Sequence, residues 1–257
     1  MCELLGMSAN VPTDIVFSFT GLIQRGGRTG PHRDGWGIAF YEGRGLRLFQ
    51  DPQASSESEV AKLVQNYPIK SETVIGHIRQ ANVGPVSLAN THPFVRELWG
   101  QNWCFAHNGQ LAGLSAEPGS YRPVGDTDSE AAFCALLNRV RSAFPDPVPV
   151  ETLLPVLIEA CQAYRERGVF NCLLSNGEWL FTFCGSKLAH ITRRAPFGPA
   201  QLTDVDMVVD FHSQTTPNDV VTVIATEPLT GNEAWTRLEP GDWKLWKQGE
   251  CIAHGRS

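Results

Sequence analysis

The sequence predicts an α+β fold: two antiparallel sheets with helices packed on their outer faces. The main observation is the order of patterns along the chain, short strands first, then two long helices, then strands again, which places helices beside antiparallel sheets and not between parallel strands. A second is composition. With 257 residues, 42% hydrophobic and 19% charged, the chain holds enough apolar surface for a full core. No internal repeat, low-complexity segment or linker interrupts it, so residues 2–257 read as one domain.

Taken in order, residues 2–8 form a short apolar strand. Thr13 or Asp14 then caps a helix whose Ile15, Phe19, Leu22 and Ile23 share one face, and Gly26 and Gly27 end it. GWGIAFY (35–41) and LRLFQ (46–50), separated by EGRG, predict a hairpin, and SSESEVAKLVQNY (55–67) an amphipathic helix. TVIGHIRQ and WCFAHN read as buried strands. After a turn-rich stretch at 113–127, DSEAAFCALLNRVRSAF and VETLLPVLIEACQAYRER predict two helices joined by PDPVPV, with Pro155 either kinking or starting the second. From Phe170 onward FNCLLS, NGEWLFTFC, LAHITRR, DVVTVIAT, GDWKLWKQG and ECIAHG read as short strands.

The formal net charge of −6 and the absence of any Lys/Arg run argue against nucleic acid and anionic membrane surfaces as partners. A small polar or zwitterionic substrate fits better. No stretch approaches the ~20 apolar residues of a membrane span, and the first basic residue is Arg25, so no charged signal-peptide start is present. Seven scattered cysteines without a CxxC pair point to reduced thiols and a cytoplasmic setting. Cys134, Cys161, Cys172 and Cys184 lie among apolar neighbours, as core thiols do.

The chain opens MCELLGMSA. Loss of Met1 ahead of so small a second residue makes Cys2 the first residue, carrying a thiol and a free α-amine together. An amine of pKa ~8 is partly neutral at pH 7 and can take the thiol's proton. Four further stretches bear on this: HRDGWGIAF (32–40), GHIRQA (76–81), FAHNG (105–109) and GDTDSE (125–130). Each is weak alone. The Gly-rich GGRTGPHRDGWG (26–37) lacks phosphate-loop spacing and is followed by a strand, and Asn108-Gly109 by itself suits an ordinary turn. His77, His92 and His107, with Cys104, match no short zinc-ligand spacing, so no metal is expected.

Together these stretches resemble the class II glutamine amidotransferases, the N-terminal-nucleophile glutaminases, and most closely their stand-alone YafJ-like branch. The resemblance covers most of the chain and is strongest over residues 2–130. It implies an αββα four-layer sandwich, no cofactor, and hydrolysis of the glutamine side-chain amide through a γ-glutamyl thioester on Cys2. It also assigns roles. Arg79 of G-H-x-R would hold the substrate α-carboxylate and Asp128 of T-D-[ST]-E the α-ammonium. The side-chain amide of Asn108 and the backbone N–H of Gly109 would form the oxyanion hole, and His92 in THPF a pocket wall.

These residue types suit the chemistry whatever the name. A thiol of pKa ~8.5 is only about 3% ionised at pH 7 and needs a base beside it. Attack on an amide creates a negative oxygen, and losing one preorganised donor to it costs about 3 kcal/mol. One Arg and one Asp suffice to hold a zwitterion and fix its amide over the sulfur.

The chain also departs from the family. Gln80 and Asn82 stand where many relatives carry an aromatic residue and a Thr, so the loop covering the substrate is expected to close differently. Arg25, Arg28, Arg33 and Asp34 receive no role. The chain ends soon after a hydrolase-sized domain, so the acceptor of ammonia is expected on a separate synthase or acceptor enzyme; no oligomeric state is expected in particular. Two other readings stay open: a γ-glutamyl-amide hydrolase acting on another compound, and a non-catalytic glutamine-sensing module.

Overall fold

The structure, a computed structural model, describes residues 2–114 and 119–257. The expected removal of Met1 and part of the turn-rich stretch at 113–127 lie outside the described residues. The strands are β1 (Glu3–Asp14), β2 (Trp36–Glu42), β3 (Gly45–Asp51), β4 (Lys70–Ile78), β5 (Phe94–Leu98), β6 (Gln101–Leu111), β7 (Gly168–Ser175), β8 (Leu180–Phe183), β9 (Leu188–Arg194), β10 (Pro199–Gln201), β11 (Val208–Asp210), β12 (Val220–Ala225), β13 (Thr236–Leu238), β14 (Asp242–Lys247) and β15 (Glu250–Arg256). The helices are α1 (Val16–Arg25), α2 (Glu59–Asn66), α3 (Asp128–Ala143) and α4 (Val150–Arg165).

A seven-stranded sheet runs β13-β9-β12-β1-β4-β2-β3 and a six-stranded sheet β15-β14-β8-β7-β6-β5; their paired neighbours are antiparallel. Three apolar clusters between the elements define four layers. Leu4, Ala39, Tyr41 and Ile75 of the larger sheet meet Cys104, Ala106, Leu173, Leu180 and Trp246 of the smaller one, so the two sheets stack face to face. On the outer face of the larger sheet, Leu5, Met7, Ile38 and Val74 pack against Phe19, Leu22 and Ile23 of α1 and Ala61 and Val64 of α2. On the outer face of the smaller, Phe105, Phe170, Phe181 and Phe183 pack against Phe133, Leu137, Leu153 and Leu157 of α3 and α4. Strand alternation explains this division: Leu4 points between the sheets and Leu5 towards the helices. The result is the αββα sandwich expected above.

Two boundaries differ from expectation. The first strand continues to Asp14, because residues beyond the Ser8/Thr13 register shift still pair with Ser71 and Lys70 of β4. α1 consequently begins at Val16 with Ile15 as its N-cap residue and no capping side chain, although Asp14 Oδ1 accepts from Val16 N at 3.1 Å. Pro155 neither starts α4 nor lies in its first turn: it sits inside the helix, which forgoes the bond to the Glu151 carbonyl that an N–H at 155 would make.

Candidate active site

β1 is the central strand of the larger sheet, held by β12 on one side and β4 on the other. Because Glu3 pairs with Ile78, the ladder carries Cys2 to the residues that follow β4. There the Gln80 N–H donates to Cys2 Sγ at 3.3 Å. Cys2 is 7% exposed. Burial pushes its thiol above the ordinary range, against the Gln80 hydrogen bond and nearby Arg79, so the neutral thiol is the resting form.

A small cavity of about 20 Å³, room for roughly one water, is lined by Cys2, Arg79, Gln80, Asn82, His92 and Gly109, with Asp128 of α3 closing it. These residues come from five separate segments. Of the sequence-predicted site residues, only Asn108 is absent from this lining: its side chain is 1% exposed and turned towards β12, where Nδ2 donates to Thr226 Oγ1 at 3.1 Å.

Each wall residue is held by its neighbours. Arg79 follows β4, and its guanidinium donates to the carbonyls of Val83 (2.9 Å), Gly84 (3.1 Å) and Pro85 (3.1 Å), drawing the 80–85 loop over the cavity. Asp34 fastens the other side of that loop: Oδ2 accepts from Ala81 N at 2.7 Å, and its backbone N–H donates to Arg79 O at 3.1 Å. Asp128 opens α3 behind the N-cap Thr127, whose Oγ1 accepts from Glu130 N at 3.2 Å. Its carboxylate accepts from Leu111 N at 2.6 Å and Ser129 N at 2.9 Å, tying the end of β6 to the helix start. Glu130 is committed elsewhere, paired with Arg96 and accepting from Val124 and Gly125 N–H.

Gly109 is required by space. A Cβ there would lie 1.7 Å from the Val169 carbonyl oxygen. The Asn108 carbonyl accepts from Asn171 Nδ2 of β7 at 2.9 Å. In a trans peptide the C=O and the following N–H point in opposite directions, so the Gly109 N–H faces away from β7. On that side β5 stops pairing at Phe94–Phe105, leaving the edge open towards the cavity.

Three buried histidines stand behind the site. His107 Nε2 faces the Val169 carbonyl at 3.1 Å and must donate to it, and Nδ1 lies 2.8 Å from Ser129 Oγ. His77 Nε2 likewise donates to His107 O at 3.1 Å. His92 stacks on His77 with ring centroids 4.1 Å apart, and both of its ring nitrogens lack protein partners. Burial lowers all three, His77 to about 3 and His92 well below the ordinary range. Among the described residues, no cluster of His, Cys, Asp and Glu could hold a metal ion.

These depressed values have a consequence for stability. Unfolded histidines titrate near 6.5, so below that pH the unfolded chain binds protons that the folded chain refuses. Stability is full above pH ~6.5 and is lost as pH falls towards the folded values. The Tm is therefore expected to drop steeply between pH 6.5 and 4, and His92→Phe, which keeps a ring between His77 and Phe94, to drop less. Equal slopes in melts of the two proteins would remove His92 from this account.

Of the residues without a sequence-derived role, Arg25 is buried in ion pairs with Glu3 (3.0 Å) and Asp204 (2.8 Å). Arg28 meets Gln24 and Arg33 meets the Gly27 carbonyl near the surface. Asp34 had no role assigned from the sequence, and Asn171 and Thr226 were not singled out there. Asn171 did leave one signal, a polar residue inside the apolar run FNCLLS.

The description "Glutamine amidotransferases class-II" applies to a family that matches residues 1–257. The chain belongs to this family. It is 62% identical to Escherichia coli YafJ over 254 residues, covering 98% of this chain and all of that one. A Haemophilus influenzae relative is 47% identical over 98% of this chain and 86% of its own. The crystal structure of a predicted glutamine amidotransferase from Pseudomonas aeruginosa PA01 superposes with a TM-score of 0.81 at 71% identity, over 98% of this chain and 100% of that one. Glutamine phosphoribosylpyrophosphate amidotransferase from B. subtilis shares the fold, with a TM-score of 0.61 at 16% identity over 99% of this chain and 49% of that one. Membership rests on the family match over the whole chain, and the likeness at 16% identity is one of fold.

Proposed function

We propose that this chain, read as one domain over residues 2–257 with Met1 removed, hydrolyses the glutamine side-chain amide through a γ-glutamyl thioester on Cys2. The observation that carries the reading is the convergence of Cys2, Arg79, Gly109 and Asp128, from four distant segments, on one cavity. A binding module would need the Arg and the Asp; it has no use for a nucleophile beside an open backbone N–H.

The free α-amine of Cys2, neutral, takes the Sγ proton as the sulfur attacks the amide carbon. The base matters here because burial keeps the thiol protonated. Charge arriving on the amide oxygen is met by Gly109 N–H and the Asn108 side-chain amide. Collapse breaks the C–N bond, the ammonium formed at Cys2 returns its proton to the departing nitrogen, and ammonia leaves. Water then attacks the thioester by the same route and releases glutamate. Arg79 and Asp128 hold the α-carboxylate and α-ammonium, and His92 closes the wall. Arg79 reaches the carboxylate only by giving up part of its hold on the 83–85 carbonyls, so substrate entry and loop position are coupled.

With His77, His92 and His107 behind the site kept neutral by burial, the acid limb of kcat/KM follows the α-amine, near pH 8, and not one of these imidazoles. Labelling with 6-diazo-5-oxo-norleucine followed by peptide mass mapping tests the nucleophile. Modification is expected on Cys2 alone, and labelling mainly on Cys104 or Cys251 would overturn the assignment. Comparing kcat/KM for glutamine, γ-glutamyl peptides, γ-glutamyl anilides and asparagine tests the substrate. Glutamine is expected first by a modest margin, because no assigned residue reads the leaving amine, and asparagine last, because one fewer methylene pulls its amide from the sulfur. A γ-glutamyl adduct cleaved far better than glutamine would shift the reading to a γ-glutamyl hydrolase, and no turnover of any of them to a sensing module. Arg79→Lys and Asp128→Asn are expected to lower kcat/KM roughly 10- to 100-fold, mainly through KM.

A further inference from the structure

We infer that Thr226 and Asn171 are positioning residues for the two oxyanion donors, each orienting one of them. The inference deepens the proposed function and rests on it. Asn108 supplies the first observation. Its Nδ2 donates to Thr226 Oγ1 at 3.1 Å, which leaves Oδ1 buried without a partner. Thr226 Oγ1 already accepts from Leu4 N at 2.9 Å, so in this arrangement the hydroxyl accepts two bonds.

A half-turn of the amide exchanges its O and N ends: Oδ1 and the Thr226 hydroxyl then pair with each other, and Nδ2 takes the buried position that has no protein partner. The Thr226 hydroxyl then donates to Asn108 Oδ1 while still accepting from Leu4 N. Both Nδ2 protons are released from Thr226, which is what a donor to a developing oxyanion requires. The turned Nδ2 is thus a buried donor with no protein acceptor, and an oxyanion forming beside it would supply the missing partner. Thr226 is 3% exposed, and its backbone N–H donates to Leu4 O at 3.2 Å. The residue is thus fixed to the nucleophile's strand, two positions from Cys2, and through its hydroxyl to the oxyanion residue on the facing sheet. It sets the spacing between the two.

Asn171 does the same for Gly109. Its Oδ1 accepts the backbone N–H groups of Gly185 (3.1 Å), Ser186 (2.9 Å) and Lys187 (2.9 Å), so the amide cannot turn without losing three bonds. Its Nδ2 is thereby aimed at the Asn108 carbonyl, and holding that carbonyl holds the Gly109 N–H of the same peptide in the opposite direction.

The test measures steady-state glutaminase kinetics and Tm of the mature protein and of Thr226→Val, Thr226→Ala, Thr226→Ser and Asn171→Asp. Removing the hydroxyl, in Val or Ala, is expected to lower kcat roughly 10- to 100-fold with KM within about twofold, and Ser to restore it. On an Asn108→Ala background, Thr226→Val is expected to add almost nothing, since the group it orients is gone. Asn171→Asp keeps the acceptor for residues 185–187 but cannot donate to Asn108, and its loss is expected in kcat as well. The inference is overturned if the Val and Ala variants retain wild-type kcat, if Ser fails to restore it, or if the Asn108 and Thr226 losses multiply. Failure of the underlying reading looks different: the unsubstituted protein would then not turn over glutamine, and the inference would fall with it.

Discussion

Cys2→Ala is expected to reduce glutamine turnover to background, a loss of roughly 10⁴-fold or more, while glutamine binding changes little. The two halves of this outcome follow from different parts of the site. Arg79 and Asp128 read the zwitterionic end of the substrate and are untouched, so calorimetric binding of glutamine should survive. No other thiol can take over: Cys104, Cys134, Cys161, Cys172 and Cys184 are buried, Cys251 lies on β15, and none of them lines the cavity. Retention of Met1 is expected to have nearly the same effect by a second route. The α-amine would then be displaced from the residue that carries the thiol, and the proton of a buried, high-pKa sulfur would have no base to receive it. Intact-mass analysis of active protein checks this: the active species should lack one methionine residue. Full activity in a Cys2→Ala protein, or in a preparation that keeps Met1, would end the thioester mechanism.

How far the sequence foretold this molecule depends on the range of the interactions involved. The long helices α3 and α4, the β2–β3 hairpin and the apolar strands were legible because their patterns are local and strongly periodic. The full length of β1 was not. Its outer part, NVPTD, shows no strand period, and Thr13 and Asp14 are extended beside Ser71 and Lys70 of β4. The short strands β10, β11 and β13 have three residues each, too few to show a period. The same distinction holds in the site. Cys2, Arg79, Gly109 and Asp128, which line one cavity, belong to compact motifs visible in the sequence. Asp34, Asn171 and Thr226 act through bonds to residues 47, 63 and 118 positions away. Nothing in DGWG or VIATEP announces such a partner, since the pairing is created by sheets stacking. Asn108 shows a further limit: its motif named the residue, but which end of its amide faces Thr226 depends on a hydroxyl brought from the far end of the chain.

Gly109→Ala is expected to lower kcat by roughly 10²- to 10³-fold and to reduce Tm as well, and the combination distinguishes it from Asn108→Ala. The added methyl would meet the Val169 carbonyl oxygen at 1.7 Å and His107 Nε2 at 2.7 Å. Neither is the free end of a flexible side chain. Val169 belongs to β7, whose ladder with β6 runs from Cys104 to Leu111, and His107 is held by Ser129 and by that same carbonyl. The clash must therefore push β6 away from β7, which costs stability. The displacement also rotates the 108–109 peptide, so the Gly109 N–H and the Asn108 side chain leave their places together, and two oxyanion donors are lost where Asn108→Ala removes one. Asn108→Ala should cost about 10²-fold in kcat; it leaves the backbone ladder intact, so its Tm change should come only from the lost packing and the vacated Thr226 hydroxyl. Melting curves and kcat values for both variants decide the matter. A Gly109→Ala protein of reduced Tm but unchanged kcat would show that the N–H of residue 109 faces no developing charge. The oxyanion would then have to be met elsewhere on the cavity wall, and Gln80, whose backbone N–H already reaches the sulfur at 3.3 Å, would be the group to examine.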